Sequence, residues 1–301
     1  MLILAFAFGG LIFQASQVRA DLADSSANAT NVVPVASLAS IDSGAVEVSL
    51  TENTTTTVTV TSTITDNNGC EDIDSVEVKF YRTDLTATGA DDENHRYTVA
   101  ATSLSTCTPG GGDLTDTYTA SISVQYYADP TDVGAVQAAT NWTAQVTPSD
   151  ESAGTADTDD IEMGTTTALD VTDTIPYGEL ALGGDTGTGD DTTTVTNTGN
   201  EGIDVDVDGY GVTDGDGLSM DCTWGDITIG NEKYAIAAAT AYATKTALTD
   251  TAAEVDTDIA QRTAAVTTGD IYWGFGMPAD GVSGSCTGKV VFTAHSDSTL
   301  D

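Results

Sequence analysis

Positive charge is scarce in this chain. Lysine and arginine number eight among 301 residues, against 47 aspartates and glutamates, for a formal net charge of −39. No basic patch exists to neutralise phosphates, which excludes nucleic acid as a partner and disfavours anionic lipid head groups. Histidine is scarcer still. His95 lies among Asp91, Asp92, Glu93 and Arg96, and His295 lies in a polar tail, so nucleophilic catalysis has little support. Gly281-Val282-Ser283-Gly284-Ser285 stops short of the Gly-x-Ser-x-Gly elbow because its fifth residue is serine. Paired Cys-x-x-Cys spacing is missing, which argues against a zinc site. A glycosidase needs only two carboxylates, a condition that almost any fold of so acidic a chain meets. Acid alone therefore points to no reaction, and the chain reads as non-enzymatic.

What is present speaks to compartment and solvent. The acid is mostly aspartate, the only lysines are Lys79, Lys233, Lys245 and Lys289, and threonine runs such as Thr54 to Thr57 recur. This composition resembles the secreted proteins of extreme halophiles. Self-repulsion on this scale destabilises a compact state in dilute salt, and the Debye length falls from about 10 Å at 0.1 M to about 3 Å at 1 M. Disorder, the other consequence of high charge, is opposed by a hydrophobic content of 40% and by long alternating stretches. Leu2 to Phe13 is apolar throughout, and Val18-Arg19-Ala20 precedes Asp21 at spacings that suit signal peptidase. Residues 1–20 are expected to form an export signal; the alternative is a retained, pilin-like hydrophobic stem. The run is shorter than the roughly 20 residues that a membrane-spanning helix needs, so no membrane insertion is expected once the signal is cut.

Cys70, Cys107, Cys222 and Cys286 form an even set that reads as two disulfides in an exported chain. Three connectivities are possible, and spacing favours Cys70 with Cys107 and Cys222 with Cys286, each loop contributing roughly 3–4 kcal/mol. Aliphatic residues alternate with polar ones across Thr57 to Thr65, Val76 to Phe80, Tyr118 to Val124, and Trp142 to Val146 before Pro148. Ile203, Val205 and Val207 repeat the pattern, and Glu254 to Ala260 leans to strand although its flanks are alanine-rich. The expected fold is all-β: two tandem immunoglobulin-like sandwiches, residues 21–168 and 169–301, behind the short hydrophobic segment 1–20. The first bridge is expected to staple a loop, since Cys70 adjoins a turn and Cys107 heads Thr108-Pro109-Gly110-Gly111-Gly112.

Thr196-Asn197-Thr198-Gly199-Asn200 followed by Ile203-Asp204-Val205, together with Tyr272-Trp273-Gly274-Phe275-Gly276-Met277-Pro278 and the closing Gly281 to Ala294, resembles C-terminal β-sandwich modules of secreted surface proteins. Such modules occur in envelope proteins of archaea and candidate-phylum bacteria and are similar to WxL-type cell-wall domains. The resemblance implies a fold and no activity. Trp224-Gly225-Asp226 and Trp273-Gly274-Phe275 stand where a Trp-x-Leu pair would be, so peptidoglycan binding is not carried over.

Asp204-Val205-Asp206-Val207-Asp208-Gly209 matches the first half of an EF-hand-type calcium loop, but Gly215 stands where the closing glutamate belongs. On a strand these carboxylates lie roughly 6.5–7 Å apart and face brine, so calcium competes here with a merely solvated face. Asp214-Gly215-Asp216-Gly217 is a weaker candidate. Asp66, Asn67, Glu71 and Asp72 form another, read as a turn with a hydrated rim. Asn28, Asn53 and Asn141 open N-glycosylation sequons. Tyr126, Tyr127, Trp224 and Tyr234 either line a sugar platform or fill a core.

The best reading is a secreted structural or adhesive protein at the cell surface. Its expected partners are a surface or matrix protein, a glycan, or further copies of itself. A filament subunit and a carbohydrate-binding module are the alternatives. The charge makes a prediction: the thermal midpoint climbs steeply between low and molar KCl, and a flat calorimetric midpoint contradicts the halophile reading.

Overall fold

The computed structural model describes residues 23–108, 110, 112–172 and 174–297; the expected export signal lies outside them. Every described strand belongs to one compact unit, Val32–Asp301. The first half contains β1 (Val35–Ile41), β2 (Glu47–Val48), β3 (Thr55–Thr65), β4 (Ser75–Arg82), β5 (Arg96–Ala100), β6 (Thr102–Ser103), β7 (Thr115–Gln125), β8 (Trp142–Ser149) and β9 (Asp157–Met163), with apolar and polar residues alternating most clearly along β3, β4 and the second half of β7. One sheet has the order β1-β3-β7-β6 and the other β2-β9-β8-β4-β5. β2 runs parallel to β9, and the remaining pairs are antiparallel. This is immunoglobulin order: the first strand is divided between the sheets as β1 and β2, and the chain crosses from one sheet to the other between β5 and β6.

The period-two alternation turns Val58, Val60 and Ile64 of β3 and Ile122 and Val124 of β7 toward Val78, Phe80, Trp142 and Val146 of the opposite sheet. Trp142 is fully buried, its ring 4.9 Å from that of Phe80, and its indole Nε1 donates to the Asp129 carbonyl at 2.9 Å. Pro148 does not end its strand. β8 runs through it opposite Val76, and the Pro148 carbonyl accepts from Gly154. The disulfide Cys70–Cys107 ties the β3–β4 connection to the β6–β7 connection, away from the sandwich centre.

The second half contains β10 (Leu169–Val171), β11 (Asp191–Asn197), β12 (Ile203–Tyr210), β13 (Leu218–Trp224), β14 (Asp226–Thr228), β15 (Glu232–Ala235), β16 (Thr246–Ala247), β17 (Ala253–Ile259), β18 (Thr268–Phe275), β19 (Ser283–Thr287) and β20 (Lys289–Ser296). The sheets are β10-β11-β18-β15-β16, β17-β12-β20 and the small β14-β13-β19. Val195, Ile271 and Trp273 meet Ile203, Val205, Val207 and Val255 in its core. Cys222–Cys286 bridges directly opposed residues of β13 and β19. The segment expected to be a polar tail is partly strand: β20 reaches Ser296 and sets His295 opposite Asp204. Gly274 makes room for Lys245, because a Cβ there would lie 2.9 Å from the lysine Cδ. Lys245 is thereby buried, donating to Asp190 at 2.7 Å and to the Tyr272 carbonyl at 2.9 Å.

Among the described residues, no strand of 35–163 pairs with a strand of 169–296. No helix among them is long and apolar enough to cross a membrane.

Candidate functional site

The two sandwiches meet through a buried polar joint. The turn between β11 and β12, Thr198-Gly199-Asn200, lies against residues 164–168 of the connecting segment. Asn200 is fully buried, and its side chain is fully employed. Its Nδ2 donates to the carbonyls of Ala128 and Gly164, both at 3.0 Å, and its Oδ1 accepts from the Thr166 amide at 2.6 Å. Its backbone amide donates to the Thr166 carbonyl at 2.9 Å. Asn197, also fully buried, holds the turn in shape by accepting from the Gly199 amide and donating to the Glu201 carbonyl. A Cβ at Gly199 would lie 2.0 Å from the Thr166 carbonyl oxygen, so only glycine permits this approach.

A second set of contacts lies beside the first. Asn94, from the β4–β5 connection, donates to the carbonyls of Tyr127 and Arg262 at 2.9 and 2.8 Å. Gln261 donates to the Tyr127 carbonyl at 2.9 Å and to the Asp129 carboxylate at 3.2 Å. The Arg262 guanidinium lies 4.3 Å from the Tyr127 ring centroid and donates to the Tyr126 hydroxyl at 3.1 Å. Asp129 also accepts from Arg82, which is held in turn by Asp84. Burial raises the Asp129 carboxyl above its ordinary range, against the pull of the Arg82 charge. Burial, joined by the hydrogen bond to Glu93, pushes the Tyr127 hydroxyl up to about 12.

A cleft of about 460 Å³ opens in the second sandwich, lined by Val171, Ile175, Tyr177, Met220, Glu232 and Phe292 among others. The Tyr177 hydroxyl donates to Glu232 at 2.7 Å. Burial pushes the Glu232 carboxyl up to about 7, and the tyrosine hydrogen bond opposes that shift in part.

The residues singled out in the sequence fall in several places. Ile203, Val205 and Val207 are fully buried, but Asp204 does not face brine: it is 6% exposed. The reason is a bulge in β17, where Ile203 pairs with Ile259 and Val205 with Val255. The bulge frees two amides, and Asp204 Oδ1 accepts from Thr257 and Asp258 at 2.8 and 3.0 Å. Asp204 is grouped with Asp256 and Asp258, whereas Asp206 lies 3.7 Å from His295. Asp208 is raised by burial, with the charges of Asp214 and Asp206 adding to it. Asp216 spends its carboxylate on backbone amides. Those of Thr213 and Val212, joined by Leu218 and Gly211, hold it well below the usual range. Asn28 and Asn53 are exposed, and the Asn53 amide donates to the Thr198 carbonyl beside the joint. Asn141 precedes the fully buried Trp142, and the hydroxyl of its sequon partner Thr143 bonds to Asp160. Tyr126, Tyr127 and Tyr234 are buried, while Trp224 is 73% exposed.

The sequence matches no protein-family model and no curated protein. Among solved structures it is similar to the CsuC–CsuE chaperone–tip adhesion subunit pre-assembly complex of the archaic chaperone-usher Csu pili of Acinetobacter baumannii. The identity is 8%, over 82% of this chain and 96% of that chain, with a TM-score of 0.36.

Asn200→Ala leaves the Thr166 amide and two carbonyls without buried partners, at about 1–3 kcal/mol for each unsatisfied group. We expect a loss of at least about 3 kcal/mol in denaturant unfolding, with Val133→Ala, at an exposed site, changing stability by less than about 0.5 kcal/mol. Glu232 makes a pH-dependent contribution. Its folded pKa, about 7, lies above the ordinary glutamate value of 4.5, so the folded state holds the proton more tightly. Its contribution is complete below the unfolded pKa and is lost as pH rises from about 4.5 to 7, by about 3 kcal/mol. The difference between wild type and Glu232→Gln across that window isolates this slope from the other carboxylates.

Proposed function

We propose that this chain is a non-enzymatic structural or adhesive protein of the cell exterior, in which two sandwiches work as one stiff segment. The observation that carries the reading is the joint. The connecting segment, 164–168, is bonded along its length: Gly164 donates to the Val48 carbonyl, Thr165 to Asp132, and the Ala168 carbonyl accepts from Thr198. A free linker would let two modules sample many relative orientations. Here buried amide side chains with complete hydrogen bonding hold one orientation, which suits a protein that spans distance or bears tension.

Two disulfides fit an oxidising compartment. The acidic coat suits life in concentrated salt, and the expected signal at residues 1–20 suits export. Adhesion would use broad outer surfaces against a protein, a glycan or a second copy.

The test combines location with stiffness. Protease shaving of intact native cells, with peptide mass mapping, is expected to release peptides from residues 23–297 and to find Asp21 as the mature terminus. Small-angle scattering in molar KCl is expected to fit a single conformer for wild type and an ensemble for Gly199→Val. A chain confined to the cytosol, or a wild type as flexible as the variant, defeats the reading. A terminus upstream of Asp21 on filaments seen by electron microscopy would favour the polymer alternative instead.

A further inference from the structure

We propose a calcium site at the end of the first sandwich, formed by Asp66, Asp72 and Asp150, separate from the Asp204-Asp206-Asp208 run. Asp66 immediately follows β3, Asp72 belongs to a short 3-10 turn before β4, and Asp150 immediately follows β8. One carboxylate oxygen of each lies within 4.8 Å of the others. Calcium binds oxygen at about 2.3–2.6 Å, so two oxygens on opposite sides of one ion are separated by twice that, about 4.6–5.2 Å.

Proximity of acids is commonplace in a chain this acidic; the decisive feature is Asp66. It is 0% exposed, deeper than either of its partners. Its Oδ1 accepts from the Asn68 amide at 2.8 Å, but its Oδ2 is buried with no hydrogen-bond donor. A buried carboxylate oxygen without a donor is costly, and a bound cation satisfies it directly. Among the described residues no lysine, arginine or histidine forms an ion pair with Asp66 or Asp72.

The surrounding loops are already held. The Cys70–Cys107 bridge clamps the turn that carries Asp72. The Asp66 amide donates to the Leu114 carbonyl, the Cys70 amide to Asp113, and the Asp74 amide to Ser149. Ser152 donates to Asp150 Oδ1 at 2.7 Å. Asp72 is exposed, giving an ion access from solvent. The donor set is all oxygen, from three chain positions, which matches calcium's tolerance of irregular geometry better than magnesium's near-octahedral demand.

The test uses the full chain with both disulfides intact, in molar KCl to suppress diffuse binding to the acidic surface. Flow dialysis with radioactive calcium is expected to show one saturable site per chain. Asp72→Asn, at an exposed position that tolerates change, is expected to weaken it at least tenfold, and Asp66→Asn to abolish it. Asp206→Asn, on β12, is expected to bind as wild type. Absence of a saturable site, wild-type affinity in Asp72→Asn and Asp150→Asn, or equal displacement by equimolar magnesium overturns the proposal. If Asp66→Asn fails to fold, the Asp72→Asn result decides alone.

Discussion

A chain with a formal charge of −39 packs two cores only if each carboxylate is hydrated, paired or given a donor. The backbone supplies many of those donors. Asp216 gathers four amides in one loop, and Asp204 takes two from the β17 bulge. Asp116 accepts from the Thr106 and Thr117 amides. These carboxylates therefore do more than repel one another: they organise turns and bulges that would otherwise leave amides unpaired. The same requirement makes the donorless oxygen of Asp66 conspicuous.

The few cations are placed where they order the interior. Lys245 and Arg96 are buried; Lys245 pairs with Asp190, while Arg96 donates to the carbonyls of Ala90 and Thr86. Arg82 links Asp84 with Asp129, and Arg262 lies on the tyrosines of the joint. Such groups are screened less by salt than exposed pairs are. Concentrated electrolyte therefore quiets surface repulsion while leaving these internal ties in place.

Much of the fold was legible in alternation. The stripes around Val58, Val78, Ile122 and Val146 became the inner faces of the first sandwich, because side chains two apart on a strand share one side. Gly183 to Gly189 and the turn Asp66-Asn67-Asn68-Gly69 fell between strands. The joint was not legible as a joint. Asn197, Gly199 and Asn200 stood out in the sequence only as part of a resemblance, since a turn motif does not reveal what will lie across from it. Nor was Glu232 marked: a glutamate flanked by Asn231 and Lys233 reads as surface until Tyr177 and the neighbouring strands close over it.

Local pattern by itself determined the strand content and the carboxylate coat, because these depend on residues adjacent in the chain. Tertiary structure alone decided that Asp204 turns inward, that Asn200 joins two sandwiches, and that Asp66 meets Asp72 and Asp150. Each of those outcomes depends on atoms far apart in sequence, and neither propensity nor periodicity carries information about which distant donors or acids will be brought within a few ångströms.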